Sequence, residues 1–435
     1  MMFMSYPVEW SPMAGKAKKC AFCGSSKLTE VIDFGKVAVA GAFIQKKDVA
    51  KEKKYPLTIV FCKDCFVVQV RDHIDPKVLF KHDFYFSSAI KTLRDHFAEY
   101  AAEVTARFLR NPEKSVVVEF GSNDGVLLKP FADQGVATVI GIDPAANIVK
   151  SVDDDRLTLV NDFFSVSVAQ KLVKTHGKAD LVCANNVYAH ISDINGVTEA
   201  VTTMLKDDGV FIFEVHYLGK IIQDMQYDMM YHEHIYYYSL IALQNHLARH
   251  DMVIFDIKPI PIHGGSIRYY AVKKGSRHAQ NISSRVEALR AQELSLGYDT
   301  PAMYAQFASR VAEKKQKLMT LLNALKKKGR TVVGYGASGR ANTIIQYCGI
   351  TDAHLDFMID DAPAKQGMHT PGSHLLIKSS STLKEEKPDY ILLFAWTFYN
   401  EIASKLGEFF DQGGRMIVPL PDVRITLYST NADAL

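Results

Sequence analysis

The sequence predicts an α/β protein: a small N-terminal part with short β-like runs, then two blocks in which strands and helices alternate. Three observations carry that prediction. Residues 1 to about 80 hold two Cys-x-x-Cys pairs, short β-like runs such as YPLTIVFC, and few helical signals. Between about 85 and 275, the runs SVVVEF, ATVIGID, ADLVCANN and GVFIFEV are short, apolar and end in polar or glycine turns. Runs of that kind read as parallel strands buried on both faces. Finally, VVVEF and TVVGY each lead into a glycine-bearing turn, so each α/β block opens with a strand and a turn.

Taken in order, the elements follow from local pattern. MVIFDIKPI and SIRYYAVKK are close enough to pair antiparallel at a sheet edge. Residues 280 to 328 read as helical. Thr300 is placed to cap and Pro301 to occupy a first turn, and Phe307, Val311, Leu318, Leu321, Leu322 and Leu325 repeat at helical spacing before Gly329. LDFMID, DYILLFAW and GRMIVPL supply strands for the last block. The boundaries expected are 1–80, 81–280 and 281–435.

Bulk properties narrow the function. The chain has 435 residues, 48% of them apolar, which suits two or three packed domains. With 51 basic against 48 acidic residues the net charge is +3, which argues against a protein held on nucleic acid mainly by charge. No run of about 18 apolar residues offers a membrane span, and the N-terminus lacks a basic start followed by an apolar stretch. Six cysteines are too few for a disulfide scaffold of this size. A cytoplasmic enzyme, without nucleic-acid or membrane partners and monomeric or weakly homo-oligomeric, is expected.

Cys20-x-x-Cys23 and Cys62-x-x-Cys65 lie 38 residues apart. Each pair can bend into a tight turn presenting two thiolates to one tetrahedral ion, so a closed structural Zn2+ site is expected. Cys183 and Cys348 are isolated among apolar neighbours and read as packing.

VVVEFGSNDGVLL places Glu119, Gly121 and Gly125 after a strand and before a helix as E-x-G-x-x-x-G. This resembles the first motif of S-adenosyl-L-methionine (SAM) methyltransferases and is not the dinucleotide pattern G-x-G-x-x-G. Asp143 ends the next strand, where an acid can accept both ribose hydroxyls. Asp162 follows the third strand, and Asn185 ends the fourth at the crevice rim. The cofactor-binding set is therefore Glu119, Gly121, Asn123, Asp124, Gly125, Asp143, Asp162 and Asn185.

Together with NNVYAHI, YHEHIYYYS and HGGSIR, the cysteine pairs make nearly the whole chain resemble one family: zinc-containing, SAM-dependent sugar C-methyltransferases of branched-chain deoxysugar biosynthesis. The resemblance implies a zinc domain, a SAM-dependent Rossmann-like methyltransferase domain and a C-terminal Rossmann-like domain closing on a nucleotide-linked 4-keto-6-deoxysugar, methylated at C-3. It carries the family's site onto Tyr85, His190, Tyr231, Glu233 and His234; at the first, Phe84 and Phe86 flank the tyrosine.

Such chemistry needs a base for the carbon acid beside the ketone, a partner for the enolate oxygen and alignment of two reactants. His234 is expected as the base, Tyr231 as the alternative base or a donor to the oxygen, and Glu233 as a carboxylate orienting the network or serving substrate. His190 donates to the C-4 oxygen or positions the sugar. His263, Ser266 and Arg268 in HGGSIR are candidates for the diphosphate, with a hairpin-like turn as the plain alternative. The second glycine turn, Gly334-x-Gly336-x-x-Gly339, with Arg340 beyond it, fits a nucleotide-sugar pyrophosphate at a helix N-terminus. Read alone, with Asp360 and Asp361 at the next strand end, it would suggest an NAD-dependent sugar oxidoreductase. O- or N-methylation on the same scaffold, and an RNA-binding zinc module using KKDVAKEKK, are the other readings.

Overall fold

The computed structural model describes residues 19–74, 79 and 87–427. Three sheets organise it. The first holds β1 (Leu28–Ala38), β2 (Lys54–Cys62) and β3 (Val68–Val70) in antiparallel order. The second is built from β4 (Val116–Phe120), β5 (Thr138–Ile142), β6 (Leu157–Val160), β7 (Ala179–Asn185) and β8 (Leu205–His216), all parallel. A short strand, β9 (Tyr236–Tyr237), leaves this block and pairs with β3, completing the first sheet. β10 (Met252–Ile260) and β11 (Ser266–Lys273) form the antiparallel pair read from sequence, and β11 inserts beside β8.

The central order is β10-β11-β8-β7-β4-β5-β6. β4 therefore sits beside β7, and the strand order reverses there, opening a crevice at the carboxyl ends of the parallel strands. All five residues of β4 are buried, as an interior parallel strand requires.

The third sheet runs β14 (Ile377–Lys378), β13 (Met358–Ile359), β12 (Val332–Tyr335), β15 (Tyr390–Leu393), β16 (Arg415–Val418) and β17 (Arg424–Thr426), parallel except for β17. Helix Gly339–Cys348 follows the glycine turn after β12, and the Ser338 hydroxyl caps it by accepting from Ala341 N–H.

Residues 280–328 form two helices, Ser284–Ser295 and Pro301–Lys327. The longer one buries Phe307, Val311, Leu318, Leu322 and Leu325 as its spacing predicts, with Leu321 packed against the same cluster but partly exposed. Thr300 stands at the N-cap position, yet its hydroxyl donates to Gly297 C=O and caps nothing. This helix joins the β1–β2–β3–β9 sheet and the C-terminal sheet into one apolar cluster, in which Ile59, Val68, Phe307, Leu322 and Leu392 all take part. Among the described residues no helix is long and apolar enough to cross a membrane.

Candidate active site

The cysteine pairs meet. All four sulfurs lie within 4.8 Å of one another, with Cys20 Sγ 3.5 Å from Cys65 Sγ and Cys23 Sγ 3.6 Å from Cys62 Sγ. A tetrahedral thiolate–zinc site needs S···S separations of about 3.8 Å, so the cluster fits the ion. Each pair sits in a tight turn closed by a main-chain bond, Gly24 N–H to Cys20 C=O and Phe66 N–H to Cys62 C=O. The protein's structural zinc is held here. β2 runs into Cys62, so the ion ties the end of β2 to the Cys20–Gly24 turn.

The first glycine turn lies where the central sheet reverses. Gly121 has φ +66°, and a Cβ there would come within 2.6 Å of Val187, so only glycine lets β4 approach the loop after β7. Glu119 is buried. Its Oε1 accepts from Asn185 Nδ2 at 3.0 Å, and its Oε2 has no hydrogen-bond partner among the described residues. Burial pushes its carboxyl up to about 8. Asn185 Oδ1 is likewise buried and unpartnered. Two orphaned polar atoms on the adjacent strands β4 and β7 fit a ligand that brings hydrogen-bonding groups, as the amino-acid end of SAM does.

The other cofactor candidates are more committed to the chain itself. Asp143 accepts the N–H groups of Asn123 and Ala145, both at 2.9 Å. Asn123 Oδ1 and the Asp124 carboxylate accept from the N–H groups of Ser87 and Ser88. Asp162 is exposed beyond β6 and accepts from Phe163 N–H. Gly125 takes φ +76° and closes the turn through its N–H to Ser122 C=O.

The YHEH segment lies against the loop after β7, with Ile235 N–H donating to Ala189 C=O, and runs on into β9. The Tyr231 hydroxyl and His234 Nε2 are 2.8 Å apart, and His234 Nδ1 is 2.8 Å from Met229 C=O. A carbonyl can only accept, so Nδ1 carries the proton and Nε2 receives the phenol O–H. His234 is buried and Tyr231 half-buried; desolvation holds His234 well below the ordinary histidine range and raises Tyr231, so the pair rests as neutral imidazole and neutral phenol. His190 lies 5.0 Å from His234, ring centre to ring centre, and burial lowers it to about 4.

Several expected roles are corrected. No carboxylate orients His234: the Met229 carbonyl does so, and Glu233 Oε1 instead accepts from Gly41 N–H at 3.1 Å, because the residue before His234 faces the N-terminal sheet. Arg268 is not free for a phosphate. It is buried, donates to Glu214 at 2.7 Å and stacks over Tyr100, because β11 pairs it directly opposite Glu214. Ser266 is buried and donates to Ile262 C=O. Arg340 makes a forked contact with the buried Asp228 carboxylate at 2.8 and 3.0 Å, which Trp396 Nε1–H also reaches. Its charge is thus matched inside the protein.

Gly336 has φ +92°, and a Cβ would strike Ala395 at 2.7 Å; its glycine serves close packing of β12 on β15. The N-terminus of helix Gly339–Cys348 abuts Tyr231, whose ring lies 3.7 Å from the Cβ position of Gly339. Asp360 accepts from Ala362 N–H and Lys365, and Asp361 from the Tyr335 hydroxyl. Tyr85 lies outside the described residues.

Sequence reading missed His216. It is the last residue of β8, 5.3 Å from His234 and 5.8 Å from His263 between ring centres. The available signal was a histidine ending an apolar run, at the strand end where parallel sheets place their sites.

Family models described as a zinc binding domain, a methyltransferase domain and a C-methyltransferase C-terminal domain match residues 20–80, 93–255 and 261–421. The C-methyltransferase NovU of Streptomyces niveus is 32% identical over 408 residues, 94% of this chain and 96% of that protein. A ubiquinone biosynthesis O-methyltransferase of Rhodopseudomonas palustris is 29% identical over 129 residues, 28% of this chain and 50% of its own length. The SAH-bound magnesium protoporphyrin IX methyltransferase of Synechocystis PCC 6803 superposes with a TM-score of 0.32 at 16% identity, covering 41% of this chain and 82% of that one. On the strength of the near full-length match, the chain belongs to the zinc-containing, SAM-dependent C-methyltransferases.

Proposed function

We infer that the enzyme methylates C-3 of a nucleotide-diphosphate-linked 4-keto-6-deoxysugar through an enolate, in branched-chain deoxysugar biosynthesis. The observation that carries this reading is the Tyr231–His234 pair: a phenol hydrogen-bonded to an imidazole of fixed tautomer, packed on His190 of the loop after β7. An O- or N-methyltransferase acts on a heteroatom that already has a lone pair. A carbon substrate must first lose a proton, and this pair can take one.

Bound SAM supplies an electrophilic methyl group. The chain's residues do the rest. Tyr231 Oη accepts the C-3 proton while its own proton passes to His234 Nε2. The C–H electron pair becomes the enolate, with charge on the C-4 oxygen, which leaves C-3 nucleophilic toward the methyl group that SAM, held at the Glu119–Asn185 turn, would supply. The imidazolium that forms keeps both N–H groups bonded, to Met229 C=O and to Tyr231 Oη. Its burial is unfavourable at rest and is offset only once the enolate charge develops beside it, which couples protonation to substrate ionisation. His190, packed on His234, positions the sugar ring.

The division at 80/81 and 280/281 belongs to the same proposal, with the C-terminal unit closing on the nucleotide through the turn at Gly336 and the N-terminus of helix Gly339–Cys348. His263 remains at the crevice side of β11 as a candidate for the sugar nucleotide. The test is solvent-deuterium uptake at C-3 of thymidine- and guanosine-diphosphate 4-keto-6-deoxyhexoses with S-adenosylhomocysteine present. Uptake with either carrier supports the reading; no uptake with both overturns it.

A further inference from the structure

Several polar atoms in and around the glycine turn, the loop after β7 and the YHEH segment are buried with no hydrogen-bond partner among the described residues: Glu119 Oε2, Ser122 Oγ, Asn185 Oδ1, Asn186 Oδ1, Glu233 Oε2 and His216 Nε2. Glu119 Oε2 and Asn185 Oδ1 belong to the cofactor turn. His216 Nε2 belongs to the patch of rings formed by His190, His216, His234 and His263, and it is buried with no hydrogen-bond partner among the described residues. His234, in the same patch, has both nitrogens engaged. A buried imidazole nitrogen left unpaired is costly, and a nitrogen of that kind next to a reacting pair is what a substrate oxygen would satisfy.

Its position is set by the backbone. His216 ends β8, its Cα pairs with Ser266 of β11, and Asn185 of β7 lies in register two residues earlier, opposite Glu214. The ring therefore stands at the carboxyl edge of the parallel strands, 5.3 Å from the His234 ring. Burial, reinforced by His234, His263 and Arg340, disfavours its charged form, so it offers a neutral ring.

Resting on the carbon-acid reading above, we propose that His216 is a further catalytic residue, whose Nε2–H donates to the C-4 ketone oxygen as that oxygen takes up the enolate charge. No proton leaves His216. The C-3 proton goes to Tyr231 as the phenol's own proton passes to His234, the C–H pair moves into the C-3–C-4 bond, and the carbonyl π pair settles on the oxygen that His216 holds. When C-3 takes the methyl group the pair returns and the carbonyl is restored. A neutral imidazole suits this role because it stabilises the oxyanion without protonating it.

The experiment compares His216→Phe, which keeps a ring and removes both nitrogens, with His216→Gln, which restores an N–H donor. The probe is the 4-keto-6-deoxyhexose nucleotide that exchanges with wild type, and the readouts are C-3 deuterium uptake, kcat, KM and SAM binding. We expect His216→Phe to lower uptake and kcat together by about 10²-fold, the scale of losing one oxyanion donor, with SAM affinity within twofold. His216→Gln recovers at least tenfold of that loss. Uptake in His216→Phe within threefold of wild type overturns the proposal, as does equal impairment of both variants, the mark of packing alone. Absence of uptake in the wild type overturns the carbon-acid reading and this proposal with it.

Discussion

Val68, three residues past the last zinc cysteine, and Tyr237, three residues past His234, are antiparallel partners. The zinc-bearing turn and the Tyr231–His234 pair are thus attached to neighbouring strands of one sheet, and Val70 N–H also donates to Ile235 C=O. The zinc-bearing turn thus fixes the strand from which the Tyr231–His234 segment hangs.

Removal of zinc should therefore cost activity through structure. Wild-type protein is expected to carry one zinc per chain by elemental analysis, and Cys62→Ser to lose it. We expect that variant to lose methyl transfer and near-ultraviolet circular dichroism together, since a structural zinc contributes folding free energy outright. Full activity without bound zinc would break the link between the two sites.

Arg268 separates a structural from a substrate role. Arg268→Met leaves the buried Glu214 with His96 as its remaining close partner. Breaking a buried pair from one side costs about 3–5 kcal/mol, which denaturant unfolding would read. The double variant Arg268→Met, Glu214→Leu should recover part of that loss, and KM for the nucleotide sugar should stay within twofold in whatever folded fraction remains. A tenfold rise in KM with unchanged stability would return Arg268 to the diphosphate.

The buried His232 gives a pH signature. Its Nε2–H donates to Pro56 C=O, and burial lowers it from 6.5 to about 4. Above pH 6.5 the ring is neutral in both folded and unfolded chains, so its contribution is constant. As pH falls through 6.5 toward 4, the unfolded chain binds a proton that the folded chain refuses, and stability drops by about 3 kcal/mol over that window. His232→Gln should show a shallower decline between pH 7 and 5 in urea titrations. An identical slope would mean that the ring is protonated in the folded protein.

Much of this was legible in the sequence. The parallel strands declared themselves because burial on both faces forces continuous apolar runs, and the cysteine pairs because two tight turns with thiolates have few other uses. Three features were not legible. The β3–β9 pairing joins residues about 168 apart, and two-residue strands leave no period to read. Glu233 takes its partner, Gly41 N–H, from a distant turn. Arg268 looked like a phosphate ligand because its neighbours are glycines and serine. Yet FIFEVH and SIRYY each carry one charge inside an apolar strand, and two such charges on adjacent buried strands have to pair with each other. His216 offered a single signal, a polar residue ending an apolar run at a strand end, with no second residue in the sequence to reinforce it.

Tyr231 and His234 should act as a unit. Tyr231→Phe removes the proton carrier while leaving the imidazole, and we expect kcat to fall by about 10²-fold or more, the range for a positioned acid–base group, with SAM binding preserved. The double variant Tyr231→Phe, His234→Ala should be little worse than the worse single one, as expected when one pair does one job. Multiplying losses would mean that the two residues serve separate steps.

The most direct measurement is deuterium uptake from solvent at sugar C-3, with S-adenosylhomocysteine in the cofactor site so that methylation cannot follow. The wild type is predicted to exchange that hydrogen, and His234→Ala, with its zinc and its SAM affinity intact, to exchange it at least 10²-fold more slowly. Uptake by His234→Ala at the wild-type rate would contradict the account, because the carbon would then be ionised by some other group.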